Sequence, residues 1–268
     1  MNPTNFHEHN RLAWNRLAKS GNRFARPASE ADYENPLASV DGPGWLGKSI
    51  TGKRVLCLAA GGGRQGPIYA AAGAIVTVVD VSHEMLLLDQ QVSKQKNFNI
   101  RTVETSMDDL SSFDSGVFDI VIHPVSTCYI SNVQKVFDEV ARVMVAGGVY
   151  ISQHKNPTSL QSSISPSDKG YVVEYPFHRA EPLPEPRQEN LVREPGMREY
   201  IHSTASLLGG ICKAGFVISA LSEPVHADRN AEVGRFEHRS NYLPPYIRIK
   251  AVRDHSAPKK RNQIWSPE

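Results

Sequence analysis

RVLCLAAGGGRQGPIYAAAGAIVTVVD, residues 54–80, decides the fold. VLCLAA at 55–60 is an unbroken apolar run, glycines follow at 61–63, residues 65–72 have helical character, and AIVTVVD at 74–80 is a second apolar run. Strands that are apolar at successive positions, not alternate ones, are buried on both faces, which requires a parallel sheet covered by helices. Reading outward, the alternation continues with a helix over 84–96, IRTVET at 100–105, FDIVIHP at 118–124, a helix over 133–145 and GGVYISQ at 147–153. A helix over 199–214, a strand over 216–221 and the alternating YIRIKAV at 246–252 complete the pattern. No helix separates those last two strands, so they pair as antiparallel neighbours. The expected architecture is α/β: a doubly wound, mostly parallel seven-stranded sheet with its last strand antiparallel.

Around this core the chain divides into a helix (residues 8–19) and cap segment within 1–50, the core at 51–155, an irregular insertion at 156–195, the rest of the sheet at 196–253 and a flexible tail at 254–268. Prolines 27, 36 and 43 interrupt regular structure in the cap segment, and seven prolines do so in the insertion. Tyr171, Val172, Val173, Tyr175 and Phe177 are the expected apolar anchors that order the insertion as a substrate lid. Tyr171, Tyr175 and Phe177 also suit a cage for a planar or cationic ligand.

With 268 residues the chain suits one domain with insertions, and 30 Lys and Arg against 28 Asp and Glu leave a charge of +2. That balance lacks the basic stripe that a nucleic-acid backbone demands. The longest apolar stretch, residues 68–79, is broken by Gly73 and Thr77 and is too short to span a bilayer. Three scattered cysteines show neither disulfide nor zinc spacing. The expectation is a cytoplasmic monomer or homodimer without nucleic-acid or membrane partners, acting on a small molecule.

Gly61, Gly63 and Gly66 satisfy GxGxxG between a strand and a helix, where bare backbone lets a nucleotide approach the amides. Asp80 ends the next strand, 19 residues after Gly61, where a carboxylate can accept both hydrogen bonds of a ribose diol. The pattern alone leaves an NAD(P)-dependent oxidoreductase open, although Arg64 and Gln65 crowd the approach of a pyrophosphate.

The succession VLCLAAGGGRQG, VTVVDVSHEML, SMDDL, FDIVIHPVSTCYI and VARVMVAGGVYIS resembles that of the class I S-adenosylmethionine-dependent methyltransferases. The likeness covers about residues 50–155 and, more weakly, LLGGICKAGFVI and YLPPYIRIKA. It implies S-adenosyl-L-methionine as cofactor, with Ala59, Gly61 and Gly63 at its amino-acid end and Asp80 on its ribose. Val81 and Met85 would flank sugar and adenine, and Ser106, Met107 and Asp108 would supply the adenine edge. Cys57 departs from the acid that many members carry on the first strand; a thiol is a weak acceptor. Trp14, Asn15 or Arg16 would then have to help hold the methionine ammonium.

Methyl transfer from a sulfonium is an in-line displacement that depends mainly on alignment. A hydroxyl or amine acceptor also benefits from a base, and His123 and His154 sit at the ends of the fourth and fifth strands, where a base would be needed. His178, His202, His226 and His238 fall in segments able to fold over the substrate, but none of these four forms an HxH or HxxxH pair that would suggest a metal. A non-catalytic S-adenosyl-binding protein is the remaining alternative.

Overall fold

The computed structural model describes residues 4–185 and 192–254, with side chains from residue 7. The tail beyond residue 254 and the part of the insertion at 186–191 lie outside the described residues.

The strands are β1 (Arg54–Leu58), β2 (Ile75–Asp80), β3 (Ile100–Glu104), β4 (Phe118–His123), β5 (Met144–Lys155), β6 (Phe216–Ser222) and β7 (Tyr246–Arg253). They form one sheet in the order β3-β2-β1-β4-β5-β7-β6. The first five are parallel, and β7 runs antiparallel to both β5 and β6. The order reverses between β1 and β4, where open α/β sheets leave a crevice at the carboxyl ends of their strands.

Eight helices accompany the strands among the described residues: α1 (Thr4–Lys19), α2 (Pro36–Val40), α3 (Gln65–Ala71), α4 (His83–Lys96), α5 (Val133–Val143), α6 (Pro157–Gln161), α7 (Gly210–Lys213) and α8 (Phe236–Ser240). Val133, Val136, Phe137, Val140 and Ala141 line one stripe of α5 and bury it in the larger core beside Val121, Tyr150 and Ile249. On the other face Tyr69 of α3 packs with Val55, Cys57, Val78 and Ile122. Ser82 caps α4 by accepting from the Met85 amide, and Asn97 ends that helix in the left-handed region at φ 55°.

Four local expectations change. The connection from β6 to β7, expected to lack a helix, carries α8, whose five residues are too few for a crossover, so the two strands still pair antiparallel. Pro36 starts helix α2 instead of breaking structure, because proline suits a first helical turn. Only the end of 199–214 is helical, as a π-turn at Ala205–Gly209 running into α7. Ahead of it the backbone has no regular structure, the Tyr200 amide donates to the Cys128 carbonyl at 2.6 Å, and Glu199 is fully buried against Lys155 and Arg193. Those tertiary ties outweigh local helix preference. In the insertion, Val172, Val173 and Phe177 are exposed, whereas Leu160 and Leu183 are buried and, with Met197 just beyond it and the partly buried Tyr175, pack in the cluster with Ala13 and Leu17 of α1.

Candidate functional site

A cavity of about 520 Å³ opens at the carboxyl ends of β1, β2, β4 and β5. One end is built from the turn after β1. Ala59 has φ 47°, a left-handed conformation uncommon for a residue with a side chain, and it turns the chain into the glycine run. A Cβ on Gly61 would stand 2.8 Å from the Met85 Cβ and 3.1 Å from that of Asp80, so only bare backbone fits between the two side chains. The Gly61 amide donates to Asp80 Oδ2 and the Ser82 amide to Oδ1, both at 2.9 Å. Burial raises the Asp80 carboxyl to about 6 against the opposing pull of those amides.

Ala59, Gly61, Asp80, Val81, Met85, Ser106 and Met107 all line this end of the cavity. Gly63 is not among the lining residues, and a Cβ on it would stand 3.1 Å from the Leu88 carbonyl oxygen of α4. Asp108 also lies outside the lining but accepts from the Ser106 hydroxyl at 2.6 Å, while that hydroxyl meets His7 Nδ1 at 3.1 Å. An acid unnoticed in the sequence supports the loop: Asp89 is fully buried and accepts from the Gly62 amide at 2.9 Å. Burial lifts its carboxyl to about 7. Its place one turn after Met85, on the inner face of α4, was the signal that could have found it.

Next to this end lies His123. The residue lines the cavity, its Nδ1 is 2.8 Å from the Tyr150 hydroxyl, and its Nε2 is shut off from water with no hydrogen-bond partner among the described residues. Burial pushes its pKa down to about 3, so the imidazole is neutral. His154 is placed differently. Its Nδ1 meets Thr127 Oγ1 and its Nε2 meets Ser152 Oγ, each at 2.8 Å, and it does not line the cavity. Burial, aided by His123 and His202, holds its pKa well below the ordinary value.

The remaining wall comes from segments far apart in sequence: Trp14 of α1, Trp45 and Asp41 after α2, Tyr129, Glu194, and Arg248 of β7. Asn15 is taken up elsewhere, accepting from the Ser82 hydroxyl at 2.6 Å, and Arg16 does not line the cavity. Of the insertion, Glu194 alone among described residues reaches the lining, and Tyr171 instead packs with His238 and Tyr242. His202 donates to or shares its Nε2 with the Thr127 and Ile130 carbonyls, and His226 stacks edge-on against Tyr246. Glu194 and Glu199 clasp Lys155, and Arg193 adds a further bond to Glu199. Burial opposes the Lys155 charge, but the two carboxylates hold its pKa above the ordinary value.

Among the described residues, no group of three or more His, Cys, Asp or Glu is arranged to hold a metal, and no helix is long and apolar enough to cross a membrane. A family model described as a methyltransferase domain matches residues 56–152. An uncharacterized methyltransferase of Bacillus subtilis (strain 168) is 33% identical over 229 residues, covering 80% of this chain and 89% of that protein. A Mesorhizobium loti S-adenosylmethionine-dependent methyltransferase superimposes with a TM-score of 0.62 at 18% identity, covering 80% of this chain and 97% of its own. The 1,6-didemethyltoxoflavin-N1-methyltransferase of Burkholderia thailandensis does so with a TM-score of 0.58 at 15% identity, covering 95% and 91%.

Proposed function

We propose, since the chain belongs to the class I S-adenosylmethionine-dependent methyltransferases, that it methylates a small molecule held beside His123 at a hydroxyl or amine that loses a proton. The observation that carries this reading is the meeting, in one cavity, of the glycine turn, Asp80 and His123.

The cofactor end suits S-adenosylmethionine. Gly61 offers backbone where a Cβ would collide, and each Asp80 oxygen accepts one amide and keeps a lone pair for a ribose hydroxyl. Val81 and Met85 would flank the sugar and adenine, with Ser106 and Met107 at the adenine edge and Asp108 acting through Ser106. When bound, the cofactor supplies a sulfonium methyl open to in-line attack.

The chain's own contribution is alignment and proton handling. In the tautomer whose Nδ1–H donates to Tyr150, His123 Nε2 is bare and can take the acceptor proton as the new bond forms. Burial keeps the ring neutral, so it needs no prior deprotonation, but also makes it a weak base in the closed site, so proton uptake depends on the change of surroundings that admits the acceptor. Because Nε2 is closed off from water, the acceptor reaches it only as the surrounding wall yields. His154 serves as a positioning residue: it fixes the Ser152 hydroxyl, which lies against Tyr150.

Calorimetry with S-adenosylmethionine against NADH and NADPH tests the cofactor, and labelled methyl incorporation across metabolite extracts tests turnover. Binding of S-adenosylmethionine alone, with label transfer that falls at least about a hundredfold in His123→Ala, is the expected result. Transfer undiminished in a folded His123→Ala protein would remove the base.

A further inference from the structure

The far end of the cavity carries a cation without a counter-ion. Arg248 lies on β7 directly across from Gln153 of β5, and its Nε and Nη2 both donate to Gln153 Oε1, at 2.9 and 2.8 Å. Among the described residues that neutral amide is its hydrogen-bond partner, and the guanidinium forms no ion pair. The carboxylates that share the cavity are all engaged elsewhere. Asp41 accepts from the Trp45 and Leu46 amides, Asp80 from those of Gly61 and Ser82, and Glu194 from Lys155.

A second group points the same way. Tyr69 of α3 is 2% exposed and lines the cavity, yet its hydroxyl makes no hydrogen bond among the described residues. Burial, with Cys57 and Asp41 adding to it, raises its pKa well above the ordinary phenol against the lowering pull of Arg248, so it stays a donor. Gln153 holds one edge of the guanidinium in place and leaves Nη1 for another acceptor; a planar fork fixed in this way is suited to two parallel bonds with an oxyanion. Trp45 and Tyr246 line the cavity around it, with Ile122 and Ile151 on the sheet beneath.

Position assigns Arg248 to the acceptor, and Tyr69, on α3 over β1, β2 and β4, lines the same cavity. From β2, which ends in Asp80, to β7 the sheet takes four steps through β1, β4 and β5. At about 4.8 Å per step that is roughly 19 Å, which puts Arg248 beyond His123 from the ribose end.

We propose that Arg248 and Tyr69 form an anion-binding subsite, and that the methyl acceptor is a flat, largely apolar molecule bearing a carboxylate or phosphate that docks there. This rests on the methyl-transfer reading for the term acceptor, but the subsite can be tested without turnover.

Tryptophan fluorescence reports on the cavity through Trp14 and Trp45. S-adenosylhomocysteine is titrated first; benzoate, phenyl phosphate and neutral benzamide are then titrated with and without it. One of the two anions should bind at least about tenfold more tightly than benzamide, and which one does tells carboxylate from phosphate. Arg248→Gln should erase that preference while S-adenosylhomocysteine affinity stays within about twofold, and Tyr69→Phe should reduce it by a smaller factor. Circular dichroism checks folding, and Tyr69→Phe decides the matter if Arg248→Gln does not fold. Benzamide binding as well as the anions, no anion binding at millimolar concentration, or equal loss of anion and S-adenosylhomocysteine in Arg248→Gln would each overturn the proposal. Failure of the wild-type protein to bind S-adenosylhomocysteine would instead overturn the methyl-transfer reading, leaving the anion titration to be judged alone.

Discussion

The two ends of the cavity are built on different principles. At the β1–β2 end, one turn of backbone, one acid and one helix cap supply the surface, and the contacting residues lie within about one supersecondary unit. At the β5–β7 end, Trp45, Glu194 and Arg248 arrive from three separate segments and are joined through the sheet register and a buried cluster of charges, while Tyr69 reaches the cavity from α3 over β1, β2 and β4. The first end is fixed by steric exclusion around glycine. The second is fixed by pairing across long stretches of chain, so its residues can change without disturbing the first.

That independence can be broken most forcefully at Glu199. Its removal leaves Lys155 and Arg193 buried without their shared carboxylate, and breaking a buried pair in this way costs about 3–5 kcal/mol. Glu199→Ala should therefore lower the melting temperature by roughly 6–20 °C in a scanning experiment. If the ends are independent, S-adenosylhomocysteine affinity measured well below that melting point stays near wild type.

Asp80→Ala probes the opposite end. Loss of charge-assisted acceptors should weaken S-adenosylhomocysteine by about 1.5–3 kcal/mol, tenfold or more, in calorimetry. Since the folded carboxyl titrates near 6, wild-type affinity should also decline as pH falls through that value, because protonation removes the charged acceptor. The Asp80→Asn protein should lack this inflection. The sign for stability is the reverse: a carboxyl raised from 3.8 keeps its proton in the folded state, so its stabilising contribution is lost as pH rises through about 6.

A smaller effect tests whether glycine packing itself holds the first end. At Gly66 a Cβ would stand 2.5 Å from Val78 Cγ2 and 3.1 Å from Asp89 Oδ1. Gly66→Ala should cost about 1–3 kcal/mol in denaturant unfolding through overpacking. The smallest effect belongs to the rim, where Arg64 pairs with Asp32 at 2.7 Å with its side chain half exposed. Arg64→Ala should change stability by no more than about 1 kcal/mol, and less at high salt.

The same contrast explains what could be read from the sequence. The apolar runs, the glycine turn and Asp80 are legible because each is a local requirement of geometry. The antiparallel β7 was expected from the absence of a helix before it; the outcome held although α8 (Phe236–Ser240) lies in that connection, because so short a helix leaves β6 and β7 paired as neighbours. His123 and His154 looked equivalent at strand ends, yet one lines the cavity and the other is enclosed by Thr127 and Ser152. A strand's sequence position does not say which side of the sheet is hollow. Residues 199–203 had helical character, but a buried ionic cluster drawn from β5 and the insertion holds Glu199 and keeps the segment out of a helix. Arg248 stood in plain view in an alternating strand, but its significance depends on Gln153, 95 residues away, and on Tyr69.

The position of β7 between β5 and β6 has a consequence for synthesis. During translation β6 emerges ahead of β7, but its partner in the sheet is β7 and not β5. Until residues 246–253 leave the ribosome, β5 remains an open edge and β6 has no ladder to join. The first five strands can be assembled early, with the nascent chain exposing hydrogen-bonding groups of β5 to other chains. Sheet closure, and with it the delivery of Arg248, waits for the last strand.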